Sequence, residues 1–153
     1  MKTVRMLAPT LAIAGILLLV TGRALRAQAS AVTAKNAWVR EAPAGRKATA
    51  IFLTALNTGG TARTIVSGVS DVSDTLELHE MKRDGGMMRM SPVTSIVVPA
   101  NGQAELRPGG LHLMLFGLKK PLAAGDSVHV TLTLDNGARV SFTAPVRAMG
   151  PMP

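Results

Sequence analysis

After Ser30, short runs of Val, Ile, Leu and Thr recur between clusters of Gly, Pro, Asn and Asp, and helical periodicity is hard to find. This pattern predicts ten strands, at residues 37–40, 49–57, 64–69, 75–83, 87–93, 95–98, 103–106, 111–118, 127–134 and 139–145. Between them stand Asn57-Thr58-Gly59-Gly60, Asp84-Gly85-Gly86, Pro99-Ala100-Asn101-Gly102, Pro108-Gly109-Gly110 and Asp135-Asn136-Gly137, which accept positive φ or preset a turn. So many short strands close most naturally as an all-β domain, a two-layer antiparallel sandwich. No internal repeat or linker is evident, and only residues 148–153 read as an unstructured end.

Alternation within the strands sorts the side chains by face. Between Thr75 and Met81, Leu76 and Leu78 share one face while Glu77, His79 and Met81 share the other. The leucines are expected to point inward, so His79 and Met81 do not. Asp84-Gly85 is a strong type I′ signal, and a loop of those two residues pairs 83 with 86, 81 with 88 and 79 with 90. His79 then faces Met90, Met81 faces Met88, and Glu80 meets Arg89 as a favourable cross-strand charge pair. If the loop is Gly85-Gly86 instead, Met81 faces Met90 and His79 becomes a diagonal neighbour. In residues 111–116 the leucines at 111, 113 and 115 form one face and His112, Met114 and Phe116 the other. A lone strand histidine is commonly a hydrogen-bonded bystander, and a lone methionine commonly fills a core. Two His/Met pairs, each turned away from its strand's leucines, favour a metal site.

Composition narrows the metal. The 153 residues contain no cysteine, which removes disulfides, thiolate zinc sites, iron–sulfur ligation and Cys-based blue copper. Four of the nine methionines, Met81, Met87, Met88 and Met90, fall within ten residues. Imidazole and thioether donors without thiolate or carboxylate suit Cu(I), whereas Zn, Mg, Ca and Mn want harder or charged donors. Thioethers do not titrate, so only the histidines compete with protons for the ion. The net charge of +8 falls to +4 without residues 1–29, which hold four basic residues and no acid. With 3% aromatic residues and no Tyr, a nucleic-acid surface with stacking aromatics is not expected.

The first 29 residues read as a secretory signal peptide: Lys2 and Arg5, an apolar run over residues 6–20, and Ala27-Gln28-Ala29 as the cleavage pattern. The run is shorter than the roughly 20 residues a membrane-spanning helix needs, and Pro9 interrupts it. An uncleaved anchor is the alternative, kept open by Arg23 and Arg26. The remaining residues, 30–153, form one expected exported domain, long enough to stand on its core alone.

His79, ten residues, Met90, twenty-one residues, then His112-x-Met114 is a spacing that resembles the signature of the PCu(A)C family (DUF461) of periplasmic copper(I) chaperones. Trp38-Val39-Arg40, the strand at 50–57, Leu78-His79-Glu80, Asp84-Gly85-Gly86, Arg107-Pro108-Gly109-Gly110 and residues 112–118 resemble further landmarks of that family. The resemblance implies that His79, Met90, His112 and Met114 bind one Cu(I) on a cupredoxin-like, antiparallel Greek-key β-sandwich. It also implies a binding protein, not an enzyme, delivering copper toward the Cu(A) centre of cytochrome c oxidase, directly or through a Sco-type partner. Some members carry a His- and Met-rich tail, of which only Met149 and Met152 are present here.

Other residues carry lesser expectations. Met81, Met87 and Met88 are candidate auxiliary thioethers or shields, His129 a solvent-facing strand residue, Trp38 a core residue, and Phe116 a cover for the ion or plain packing. The competing functions are copper resistance or storage with the same ligands, a Cu(II) oxidoreductase gathering His79, His112 and His129, and a metal-free sandwich serving protein contacts.

Overall fold

A computed structural model describes residues 30–148. The expected leader at residues 1–29 lies outside them, as do Met149 and Met152. Ten strands form: β1 (Val32–Arg40), β2 (Ala48–Asn57), β3 (Arg63–Ser70), β4 (Ser73–Asp84), β5 (Met87–Pro92), β6 (Ile96–Val98), β7 (Gly102–Leu106), β8 (Leu111–Leu118), β9 (Ser127–Leu134) and β10 (Arg139–Arg147). Each expected strand is present, and the all-β class holds. Among the described residues no helix is long and apolar enough to cross a membrane.

The largest boundary difference is β1, which begins five residues before its expected start. A register shift against β2 lies between Lys35 and Trp38, where Asn36 takes a φ of 52°. Val32 and Val39 are seven positions apart and would face opposite sides of a regular strand, yet both are buried. The irregularity returns the second valine to the core and erases the alternation that would have announced the strand.

Seven strands close into a barrel-like ring in the order β4, β8, β2, β1, β10, β9, β3, with β3 returning to β4 through Gly68 opposite Leu76. The pairings are antiparallel except β1 with β10, which is parallel, with Val39 opposite Val146. That pair departs from the antiparallel expectation. Its strands lie at opposite ends of the described chain, so no tight turn dictates their direction. Outside the ring, β5 extends β4 as an edge strand, β6 pairs with β3, and β7 takes the far half of β2 beyond β8.

The ring closes around Val39, Ile51, Ile65, Leu113, Leu115, Val128, Val130, Leu132 and Leu134, all essentially inaccessible. Each such side chain contributes about 1.5–3 kcal/mol of transfer free energy. The sector formed by β4, β8 and β2 differs from the rest because it is buried on both faces. Thr49 through Leu53 are buried without interruption on β2, as are Leu78-His79 on β4 and His112-Leu113 on β8. Alternation places the leucines toward the core, so a second, smaller packed layer lies outside this sector. It contains both histidines.

Gly117, near the end of β8, has a φ of +66°, and a Cβ there would sit 2.8 Å from Asp74 Cβ. Asp74 lies on the neighbouring strand β4 and cannot swing that atom away without moving its backbone. Replacing Gly117 with Ala therefore combines left-handed strain with a clash and should cost roughly 2–4 kcal/mol. Thermal unfolding of Gly117→Ala would show it as a fall in Tm of about 5 °C or more. An unchanged Tm would contradict this packing.

Candidate metal centre

The site is set by the pairing of β4 with β8. His79 lies directly opposite His112, flanked by Leu78 opposite Leu113 and Glu77 opposite Met114. Because faces alternate, His79, His112 and Met114 emerge together on the outer side while the leucines fill the ring. The two imidazole centroids are 6.0 Å apart, with Phe116 5.8 Å from His79 and Phe52 6.2 Å from His112. Both histidines are buried, at 6% and 4% exposure, although they belong to the face turned away from the core.

The hairpin takes the Gly85-Gly86 turn. Its pairs are Asp84 with Met87, Arg83 with Met88, Lys82 with Arg89, Met81 with Met90, Glu80 with Ser91 and His79 with Pro92. The Asp84-Gly85 register is thereby corrected, and with it the direct pairing of His79 with Met90. Both turn residues have positive φ, 56° at Gly85 and 86° at Gly86, as a type I′ loop requires. Two glycines satisfy this without placing an aspartate Cβ in the left-handed region. The charges regroup accordingly: Lys82 bridges Glu80 at 2.9 Å and Arg89 bridges Asp84 at 3.2 Å, so the expected Glu80–Arg89 pair does not form.

Met90 nevertheless reaches His112. Its Sδ lies 3.2 Å from His112 Nε2. On the other side of that ring, Nδ1 lies 2.9 Å from the Gly110 carbonyl, which also accepts the Met81 backbone N–H at 3.1 Å. A carbonyl only accepts, so the proton of neutral His112 belongs on Nδ1 and the Nε2 lone pair is directed at sulfur. Burial, the leading cause, lowers the His112 pKa; His79 and Arg40 lower it further, against the raising effect of the Gly110 carbonyl. The neutral ring therefore persists to lower pH than an ordinary imidazole, and protons compete for Nε2 correspondingly later as pH falls.

His79 shows the same arrangement with its nitrogens exchanged. Nε2 is 3.0 Å from Glu77 Oε2, so in the neutral ring Nε2 donates, and the buried Nδ1 has no hydrogen-bonding partner. Leaving such an acceptor unmet costs about 1–3 kcal/mol. Each histidine thus has one nitrogen tied to a fixed acceptor and the other left as a lone pair, the way outer partners orient histidine ligands in metal sites. Glu77 and the Gly110 carbonyl were not singled out by sequence reasoning. For Glu77 a signal existed, since it lies two residues from His79 on the same face.

Met90, His112 and Met114 line one cavity of about 670 Å³, together with Met81, Met88, Phe52 and Arg40. His79 adjoins this group through its ring contact with His112 rather than by lining the cavity. The four expected ligands are thus gathered in one region, with two thioethers and an imidazole on a shared wall. His129 is elsewhere: it is exposed on β9, with Nδ1 3.0 Å from Thr143 Oγ1. Among the described residues no three of His, Cys, Asp and Glu gather as a metal-holding group. Trp38, expected in the core, is half-buried, with its ring 4.6 Å from Phe52 and the Arg147 guanidinium 5.9 Å from its centroid.

The family model described as "Putative lipoprotein LpqE-like" matches residues 32–146, the strand ring but for the last residue of β10. The chain belongs to this LpqE-like family, which includes the PCu(A)C domains. The LpqE-like chain is 37% identical to "Putative lipoprotein Lxx21020" of Leifsonia xyli subsp. xyli (strain CTCB07), over 95% of its own length and 92% of that protein. The solution structure of CuI-DR1885 from Deinococcus radiodurans aligns with 32% identity and a TM-score of 0.63, covering 78% of this chain and 80% of that one. The apo PCuAC domain from PmoF1 aligns with a TM-score of 0.64 at 21% identity, over 76% of this chain and 92% of that domain, a likeness of fold.

Proposed function

We propose that this chain is a copper metallochaperone that binds one Cu(I) through His79 Nδ1, Met90 Sδ, His112 Nε2 and Met114 Sδ. The observation that carries this reading is the state of the two imidazoles: each is pinned by an acceptor on one nitrogen, leaving a buried lone pair on the other, and one lone pair meets a thioether at 3.2 Å. Two neutral nitrogens and two thioethers are a soft donor set with no charge to attract hard divalent ions. The Deinococcus relative, named as its Cu(I) form, supports the same cargo. No electrons need move, so the protein acts by holding and releasing the ion rather than by catalysis.

In this proposal residues 1–29 direct export and are cleaved, and the domain works in the periplasm as a cupredoxin-like Greek-key sandwich. The lipoprotein names of the family and of the Leifsonia relative support a place in the cell envelope. None of the 153 residues is a cysteine, so no side chain in them can carry a thioether-linked lipid. The recipient is the Cu(A) centre of cytochrome c oxidase, reached directly or through a Sco-type protein whose thiolates draw the ion onward. This step rests on the family resemblance.

Two experiments test the reading. Anaerobic competition against a Cu(I) chelator should show one tight equivalent, weakened by about 100-fold in Met114→Ala and by less than about 3-fold in His129→Ala. Equal losses in the two variants would instead favour a three-histidine site. Deleting the gene should lower assembled oxidase, with recovery on added copper. Copper sensitivity with normal oxidase would replace delivery by resistance or storage.

A further inference from the structure

The corrected hairpin register brings together a group of methionines that the four-ligand site does not use. Met81 is directly opposite Met90, and Met88 lies two residues from Met90 on the same face, diagonal to Met81. All three line the cavity that holds His112 and Met114. Met87, although adjacent in sequence, alternates to the other face and is not part of the cavity wall. Exposure changes steeply across the group: Met88 and Met90 are 47% and 48% exposed, whereas His79 and His112 are 6% and 4% exposed. Large apolar side chains held in water on an edge strand contribute little to the core. Their sulfurs, by contrast, are soft donors on flexible stems.

We propose a second, weaker Cu(I) position at the exposed end of the cavity, formed by the thioethers of Met81, Met88 and Met90, through which the ion enters and leaves the buried site. The inference rests on the copper-binding reading above and deepens it. Met90 belongs to both positions, so it keeps its bond to copper throughout the passage. On entry, bonds to His112 Nε2, His79 Nδ1 and Met114 Sδ form as those to Met81 and Met88 break. Copper remains Cu(I), and where both rings are neutral the accepting nitrogens are lone pairs, so the step needs no proton transfer. The outer position is weaker because it lacks imidazole donors and stands in water, which suits a waypoint rather than a store. A recipient approaching β5 would meet copper first on exposed sulfur instead of having to reach the buried histidines.

The test is anaerobic titration of the purified protein with Cu(I), followed by transfer of the first equivalent to a chromogenic chelator, in wild type, Met81→Leu/Met88→Leu and Met87→Leu. Leucine conserves volume and removes only the donor, so the fold is retained. With Met90 engaged by the first ion, a second equivalent is left with Met81 and Met88 alone, so wild type should take it at least about 100-fold more weakly than the first. The double variant should lose that second equivalent, keep first-site affinity within about 3-fold, and release copper about 10-fold more slowly. Met87→Leu should match wild type. A double variant that keeps the second equivalent, or releases copper at the wild-type rate, overturns the waypoint while leaving the four-ligand site standing. So does a Met87→Leu variant as impaired as the double one. Failure of wild type to retain even the first equivalent overturns both readings.

Discussion

The alignment of β4 with β8, which sets His79 against His112, governs the rest of the structure. In the same stretch Leu78 meets Leu113 and Glu77 meets Met114, so one register fills the ring with leucine and gathers imidazole and thioether groups outside it. A slip of one residue would turn the histidines into the core and the leucines out of it. The hydrophobic effect therefore protects the donor geometry. Any loss of the register exposes leucine side chains worth about 1.5–3 kcal/mol each.

The alternation of leucine with His and Met in residues 111–116 was plain in the sequence, because a strand with a buried face has few other ways to be read. All ten strands were legible for the same reason, apart from the first half of β1, where the irregularity at Asn36 breaks the pattern. The hairpin register was not fixed by local signals. Asp84-Gly85 and Gly85-Gly86 are both good turn dipeptides, and Glu80 has an alternative partner in Lys82, so the charge argument for the first register carried little weight. The lone-pair assignments could not be read at all. They depend on a carboxylate and a carbonyl that only the folded pairing brings to 3.0 and 2.9 Å.

Holding and releasing an ion make opposing demands, which the two kinds of donor divide between them. The histidines are buried and orientated, so as proposed ligands they have little ordering left to lose. In the proposed function, filling the unmet His79 Nδ1 would also couple metal binding to stability of the fold. Met88 and Met90 sit on the edge strand β5, whose residues are all exposed, whereas Met114 is half-buried on β8. In the proposed function their neutral sulfurs hold copper softly, exchange without protonation, and stand where a partner can reach them. Affinity and access thus come from different sides of one cavity.

X-ray absorption of the protein loaded with one equivalent of Cu(I) tests the central claim most directly, because it counts nitrogen and sulfur around the ion. The account predicts two nitrogen and two sulfur neighbours, with the sulfur contribution reduced in Met114→Ala. A shell of nitrogen and oxygen without sulfur, or one with three nitrogens, would contradict it.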